Sequence, residues 1–98
     1  MTSKQRSYLK GLAMNIDPIF QIGKSSLTPE ITSAVAEALE ARELVKITVL
    51  KNCLEDGGSI ATVLAERTRS ELVQVIGRRI VLYKQAKEES KRKIVLPK

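Results

Sequence analysis

Two apolar segments with the pattern of β-strands, residues 19–22 and 44–50, are separated by about twenty residues that include a helical pattern. A similar interval separates the second segment from the next strand pattern, at 72–76. Parallel strands need a crossover of at least about a dozen residues, because the chain must return to the end of the sheet from which it started. Both intervals are long enough for right-handed crossovers. The spacing therefore predicts an α/β sheet with parallel strands.

Apolar residues at helical spacing predict three helices. The first covers about residues 3–14. The clearest begins at Pro29, because Thr28 before it is a favourable N-cap and proline suits the first helical position. The third follows an acidic, glycine-rich turn and runs from an N-cap at Ser59 to about Thr68.

The last two strands, 72–76 and 80–84, are separated only by Gly77 and basic residues, which predicts an antiparallel hairpin. The element order is then α-β-α-β-α-β-β. A chain of 98 residues rarely supports two cores, so we expect a single small α/β domain over residues 1–98. Its mixed four-stranded sheet would be packed by helices.

The charge is distributed unevenly along the chain. The formal net charge is +6, with +3 on residues 1–28, −3 on 29–58 and +6 on 59–98. A basic protein of this kind favours a polyanionic partner, and nucleic acid is favoured over a membrane. The acidic middle is predicted to face away from that partner.

Composition excludes several kinds of chemistry. With no histidine and one cysteine, the chain cannot build a Cys/His zinc cluster, a Ser-His-Asp triad or a disulfide framework, and we expect no metal or cofactor. Three aromatic residues are too few for a base-stacking platform, so RNA binding would depend on backbone contacts and charge. The first twenty residues fit neither a signal peptide nor a membrane span, and the unpaired Cys53 agrees with a reducing cytoplasm.

The loop between the first strand and the second helix is the most informative candidate site. It consists of Gly23, Lys24, Ser25 and Ser26. Glycine permits close backbone approach, lysine adds charge, and the following helix start offers unpaired N–H groups, so the loop could bind a phosphate. The P-loop pattern is absent, however, and an ordinary α/β turn explains the same residues more simply.

Other basic residues have two explanations as well. Lys4, Arg6 and Lys10 lie opposite an apolar side of the first helix formed by Tyr8, Leu9, Leu12 and Ala13, where a phosphate-binding stripe and a solvated helix face look alike. The solvated face is favoured there. For Arg78 and Arg79 the two explanations are equal, because adjacent arginines at a turn expose at least one guanidinium.

Acidic residues of the second helix and the end of the chain complete the charge pattern. Glu30, Glu37 and Glu40 lie opposite the apolar stripe of that helix and are predicted to be solubilising. From about residue 85 the chain becomes a basic tail that could add nonspecific attraction. Its apolar segment 94–97 could dock back on the domain.

Several of these segments together resemble the CRM domain family (chloroplast RNA splicing and ribosome maturation). The resemblance is carried by Leu9 to Ala13, by the combination PIFQIGK…ELVKI…VQVIGRRIVLYK, and by the closing 93–97. It spans nearly the whole chain and is more specific than any one segment. The length resembles the stand-alone bacterial form, the YhbY-type protein.

The resemblance implies an α/β fold similar to the C-terminal domain of translation initiation factor three. It also implies RNA binding without catalysis, with 23S rRNA or pre-50S particles as partner, and we expect a monomer. Family members carry a GxxG loop at the position of Gly23 to Ser26, where this sequence has Ser26 instead of the second glycine. A left-handed backbone there would cost serine roughly 1 kcal/mol more than glycine. The hydroxyls of Ser25 and Ser26 could instead donate to phosphate.

The sequence thus predicts a cytoplasmic, non-catalytic RNA-binding protein that acts in large-subunit assembly. The expected phosphate cradle is the Gly23–Ser26 loop, flanked by the basic residues Lys4, Arg6, Lys10, Arg78 and Arg79. No membrane or small-molecule substrate is expected. A protein-interaction module with incidental RNA affinity is the alternative. An enzyme has the least support, because acid–base chemistry would rest on Lys or Glu alone.

Overall fold

The computed structural model describes residues 1–98 and contains three α-helices, four β-strands and one short 3-10 helix. The helices are α1 (Ser3–Ala13), α2 (Pro29–Arg42) and α3 (Gly57–Thr68). The strands are β1 (Phe20–Ile22), β2 (Leu44–Val49), β3 (Glu71–Ile76) and β4 (Arg79–Tyr83), and the 3-10 helix is Glu89–Lys91. The predicted order of elements is confirmed.

The four strands form one mixed sheet in the order β1-β2-β4-β3. β1 is parallel to β2, and β4 is antiparallel to both β2 and β3. The predicted mixed sheet and hairpin are therefore confirmed. Because β4 lies between β2 and β3, the strands β1, β2 and β3 all run in one direction. We call the end of the sheet where these three strands finish the carboxyl end, and the other the amino end.

Alternation along β2 separates the two faces of the sheet. Val45, Ile47 and Val49 belong to a core of 13 buried residues between the sheet, α2 and α3. Leu44 on the other face joins Tyr83 in a second core of six buried residues, which includes Leu9 and Ala13 of α1. The sheet is thus the middle layer of three.

The helix starts show which sequence signals were correct. Thr28 caps α2 as predicted, its hydroxyl accepting from the Ile31 N–H at 3.2 Å. The cap of α3 is Asp56 and not Ser59, so that prediction was wrong. The Asp56 carboxylate accepts from the Ser59 N–H at 2.8 Å. The helix therefore begins at Gly57, three residues before the predicted start. Two adjacent glycines had favoured a turn there, and the charged cap outweighs their low helix propensity.

Side chains of α1 differ in part from the predicted apolar face. Leu9 and Ala13 are buried, but Tyr8 is 43% exposed. The end of this helix is held by Lys46, whose Nζ donates to the carbonyls of Ala13 and Ile16 at 3.1 and 3.4 Å. A cation there satisfies orphan carbonyls and complements the negative end of the helix dipole.

A buried carboxylate attaches the C-terminal segment to the sheet. Glu43 links α2 to β2 with a φ of +66° and is completely buried. Its Oε2 accepts from the Ala86 N–H at 2.8 Å, and its Oε1 accepts from the N–H groups of Lys93 at 2.6 Å and Ile94 at 2.9 Å. Ile94 and Leu96 then pack on the second core, so the docking of segment 94–97 is confirmed.

Glu40 has a similar function, which corrects its prediction as a solubilising residue. Its two carboxylate oxygens accept from the N–H groups of Lys87 and Glu88 at 2.8 and 3.2 Å. The basic tail therefore follows the amino end of the sheet in a defined path.

The ionisation of Glu43 is set by two opposing effects. Burial favours the neutral acid, but the three backbone N–H donors, helped by the charge of Arg92, hold the pKa of the carboxyl below its ordinary value of 4.5. The unfolded chain therefore binds this proton more readily than the folded chain. Stability from Glu43 is complete above about pH 4.5 and declines as the pH falls through the folded-state pKa.

We predict that Glu43→Gln lowers the free energy of unfolding at pH 7 by about 2 kcal/mol, because the amide group cannot accept from the N–H it would face. Urea denaturation measures the loss. The difference from wild type should shrink as the pH falls below 4.5. Glu37→Gln is the matched control, since Glu37 is exposed on α2, the helix that precedes Glu43, and makes no side-chain hydrogen bond. A Glu43→Gln protein as stable as this control at pH 7 would contradict the anchoring role.

Candidate nucleic-acid interface

Three connections meet at the carboxyl end of the sheet. They are residues 23–28 after β1, 50–56 after β2, and 77–78 between β3 and β4. The Leu50 N–H donates to the Ile22 carbonyl at 2.8 Å, and the Val49 N–H donates to the Arg78 carbonyl at 2.7 Å. The Arg78 guanidinium also donates to the Leu50 carbonyl at 3.0 Å. These hydrogen bonds connect both the glycine loop and the hairpin turn to the end of β2 and the loop that follows it.

The glycine loop closes as a tight turn, with the Ser26 N–H donating to the Gly23 carbonyl at 2.9 Å. A Cβ at Gly23 would lie 3.2 Å from Oδ1 of Asn52, so glycine here allows the two loops to approach closely. Ser26 has a φ of +56°. This is the left-handed conformation that the GxxG resemblance raised for this position. The serine adopts this conformation at a cost of roughly 1 kcal/mol relative to glycine.

The hydroxyl of Ser26 already has a partner. It donates to Oε1 of Glu55 at 2.6 Å, which ties the glycine loop to the loop after β2. The expectation that this hydroxyl is a free phosphate donor is therefore wrong in this conformation. Lys24 and Ser25 are exposed and form no side-chain hydrogen bond or ion pair, so they remain the loop's available donors.

Acidic residues are present at this end, which corrects the expectation that the whole acidic middle faces away. Glu55 and Asp56 follow β2, and a loop after β2 must emerge beside the loop after its parallel neighbour β1. The N–H and hydroxyl of Ser59 donate to Asp56 and hold the pKa of its carboxyl below the ordinary value. Both carboxylates thus form an anionic border on the α3 side of the glycine loop.

The hairpin arginines have different environments. Arg78 is exposed but has one hydrogen bond to the Leu50 carbonyl. Arg79, at the start of β4, is exposed and makes no side-chain hydrogen bond or ion pair. Gly77 between the strands has a φ of +55°, which glycine adopts at low cost and which makes this short turn possible. Arg79 is therefore the freer cation of the two.

Arg6 is not on the exposed face of α1, contrary to its prediction. Its Nη1 donates to the carbonyls of Leu72 and Val73, beside an irregularity in the β3–β4 register. The guanidinium satisfies backbone acceptors that this irregularity leaves free, and its role is structural. Lys4 and Lys10 are exposed and free of hydrogen bonds and ion pairs.

The orientation of α1 distinguishes these two lysines. One flank of the helix meets the C-terminal segment, since Gln5 donates to the Pro97 carbonyl at 3.0 Å and Leu12 lines a groove together with Ile94. At about 100° per residue, Lys10 lies on the opposite flank, towards the carboxyl end of the sheet, whereas Lys4 points away from the sheet. The fold therefore places Lys10, but not Lys4, on the side of the glycine loop.

None of the three helices is long and apolar enough to cross a membrane. No three His, Cys, Asp or Glu side chains are grouped as ligands for a metal ion. The single cysteine, Cys53, is a buried residue of the loop after β2, where its thiol donates to the Glu55 carbonyl at 3.7 Å.

Residues 1–84 match the family described as the CRS1 / YhbY (CRM) domain. The chain belongs to this family. This CRM domain is 47% identical over 97 residues to a protein of Bacillus subtilis named "Probable RNA-binding protein YqeI", with 99% of both chains covered. It is 33% identical over 98 residues to a protein of Haemophilus influenzae named "RNA-binding protein", covering 100% of this chain and 96% of the other.

A solved structure agrees with the fold of the CRM domain described above. The solution structure of the hypothetical protein SAV1595 from Staphylococcus aureus superposes with a TM-score of 0.79 at 48% identity, covering 99% of each chain. The family resemblance and the α/β fold predicted from the sequence are thereby confirmed.

Two contacts at this end of the CRM domain were not predicted from the sequence. Glu55 is the partner of Ser26, and Asn52 is the neighbour of Gly23. The parallel strands predicted from the sequence could have indicated both contacts. Parallel β1 and β2 require the loops that follow them to emerge side by side, which brings residues 50–56 next to residues 23–28.

Proposed function

We propose that this CRM domain is a non-catalytic RNA-binding protein that holds the RNA backbone at the carboxyl end of its sheet. The observation that carries the proposal is the convergence of cations from three separate elements. Lys24 in the glycine loop, Arg79 at the hairpin and Lys10 on the flank of α1 all lie towards this end, and none has an acidic partner. Unpaired cations from independent elements fit a polyanion better than they fit the stability of the fold.

Lys24 and Ser25 would contact phosphate directly, as a point charge and a hydroxyl donor. Because Gly23 has no Cβ, the loop backbone lies close to Asn52. A phosphate can then approach the amino end of α2 and the positive end of its dipole. The Ile31 N–H is already taken by Thr28, and Lys24 therefore provides the main attraction.

The anionic border limits where RNA can lie. Glu55 and Asp56 would repel a phosphate chain from the start of α3. The same carboxylates leave the opposite side open, where Lys10 and Arg79 lie. The RNA backbone is therefore expected on the α1 side of the sheet.

We also infer that the RNA is ribosomal, 23S rRNA within pre-50S particles, and that the protein acts as a monomer in the cytoplasm. This inference is supported by the resemblance to the stand-alone bacterial form of the family, and by bacterial relatives of nearly the same length whose names describe them as RNA-binding proteins.

We predict that Lys24→Glu weakens RNA binding on the order of tenfold, because it removes a phosphate contact and adds a repulsive charge. The loss should be similar for every RNA sequence, since phosphate contacts do not read bases. Filter binding or fluorescence anisotropy over a range of salt concentrations measures it, and the salt dependence should become shallower. Lys87→Glu is the control, because it makes the same charge change on the exposed tail at the amino end. Unchanged binding by Lys24→Glu, or loss for one sequence alone, would show that the cradle is misplaced.

The identity of the RNA can be tested in cells. We predict that crosslinking followed by sequencing of the bound RNA enriches large-subunit ribosomal RNA, and that Lys24→Glu lowers the yield of all crosslinked fragments. Enrichment of messenger or transfer RNA over large-subunit RNA would argue against the assembly role while leaving RNA binding intact.

A further inference from the structure

Helix α1 covers only part of its face of the sheet. Beyond it, towards the carboxyl end, lie four residues that are joined by direct strand pairing, one from each strand. Gln21 pairs with Thr48, Thr48 pairs with Arg79, and Arg79 pairs with Ile76. We call these four residues, Gln21, Thr48, Arg79 and Ile76, the open row.

The open row is accessible to solvent. Gln21 and Arg79 are exposed, Ile76 is 62% exposed and Thr48 is half-buried. Two positions further along β4 on the same face, Val81 is buried under α1. None of the four side chains makes a hydrogen bond or an ion pair within the protein. A sheet face that no helix covers, and whose polar side chains have no hydrogen-bond partner within the protein, is available for a ligand.

The charges nearest the open row are mainly cationic. Lys10 lies on the flank of α1 that is turned away from the C-terminal segment, and Lys24 and Arg78 lie at the carboxyl end, where the strands finish. The carboxylates of Glu55 and Asp56 line a groove with Gly77 and Arg78 at the start of α3. The row itself contains one cation and no acid. With neighbouring strands roughly 4.8 Å apart, it spans about 14 Å, enough for more than one nucleotide. The charge complements a nucleic-acid strand.

We propose that the open row receives the unpaired bases of a single-stranded RNA segment whose phosphates are held by Lys24 and Lys10, so this inference rests on the proposed function. In this arrangement Arg79 contacts a base and not a phosphate. Bases of single-stranded RNA can stack on guanidinium planes and hydrogen-bond through their edges. Arg79 provides the plane, the Gln21 amide and the Thr48 hydroxyl provide donors and acceptors, and Ile76 provides apolar contact.

A double-stranded RNA would use this surface differently. The major groove of an A-form duplex is too deep and narrow for side chains to read its bases. A duplex would therefore contact the cations through phosphates and 2′-hydroxyls, and its bases would make no contact with the open row. The preference for one RNA form over the other therefore distinguishes a base platform from a charged surface.

The test compares Arg79→Lys, which keeps the charge and removes the plane, with Thr48→Val, which keeps the β-branched shape and removes the hydroxyl. The probes are single-stranded oligomers of U, A and C and a short RNA duplex, at one salt concentration. Arg79→Lys should weaken single-strand binding about fivefold and duplex binding less than twofold. Thr48→Val should change the order of preference among the three oligomers. Arg67→Lys is the matched control, since Arg67 is exposed on the last turn of α3, away from the open row.

The outcomes separate this inference from the proposed function. Equal losses on duplex and single strands, or no loss with Arg79→Lys, would overturn the open row while the Lys24→Glu result still stands for the cradle. If Lys24→Glu leaves binding of every probe unchanged, the proposed function fails and the open row fails with it. Thermal unfolding checks each variant, and if Thr48→Val is unfolded, the Arg79→Lys comparison decides alone.

Discussion

The parallel pairing of β1 with β2, with β4 inserted between β2 and β3, determines where the chemistry of this CRM domain lies. Three strands then point in one direction, so the glycine loop, the loop after β2 and the hairpin turn emerge at the same end. Hydrogen bonds through Leu50 and Arg78 join these connections. Backbone pairing in the sheet thus fixes the relative positions of side chains that are distant in sequence.

Buried charges and exposed cations have different roles in this domain. At the amino end, the buried Glu43 accepts three backbone N–H groups, and the Lys84 ammonium donates to the Thr68 carbonyl at 3.1 Å. At the carboxyl end, Lys24 and Arg79 have no internal partner. Satisfied charges stabilise a fold, whereas unsatisfied exposed cations contribute little to stability and are available for a polyanion.

Local signals in the sequence predicted the elements well, because periodicity and caps such as Thr28-Pro29 act over a few residues. The position of β4 between β2 and β3 was not predictable in this way, since it depends on which apolar faces pair over long range. The same limitation explains Arg6. Helical spacing placed it on a polar face, and only the assembled sheet shows the β3 carbonyls that it satisfies. Glu55 was missed because its partner Ser26 is 29 residues away.

The most direct test of an RNA surface at the carboxyl end is a titration of the ¹⁵N-labelled protein with short single-stranded RNA at low salt, followed by amide NMR. We predict that the largest shift changes fall on residues 23–26, Thr48 and 77–79, and that the amides of residues 86–96 at the amino end stay nearly unchanged. Changes concentrated on the C-terminal tail and the last turns of α2 would contradict it, because the RNA would then occupy the opposite end of the sheet.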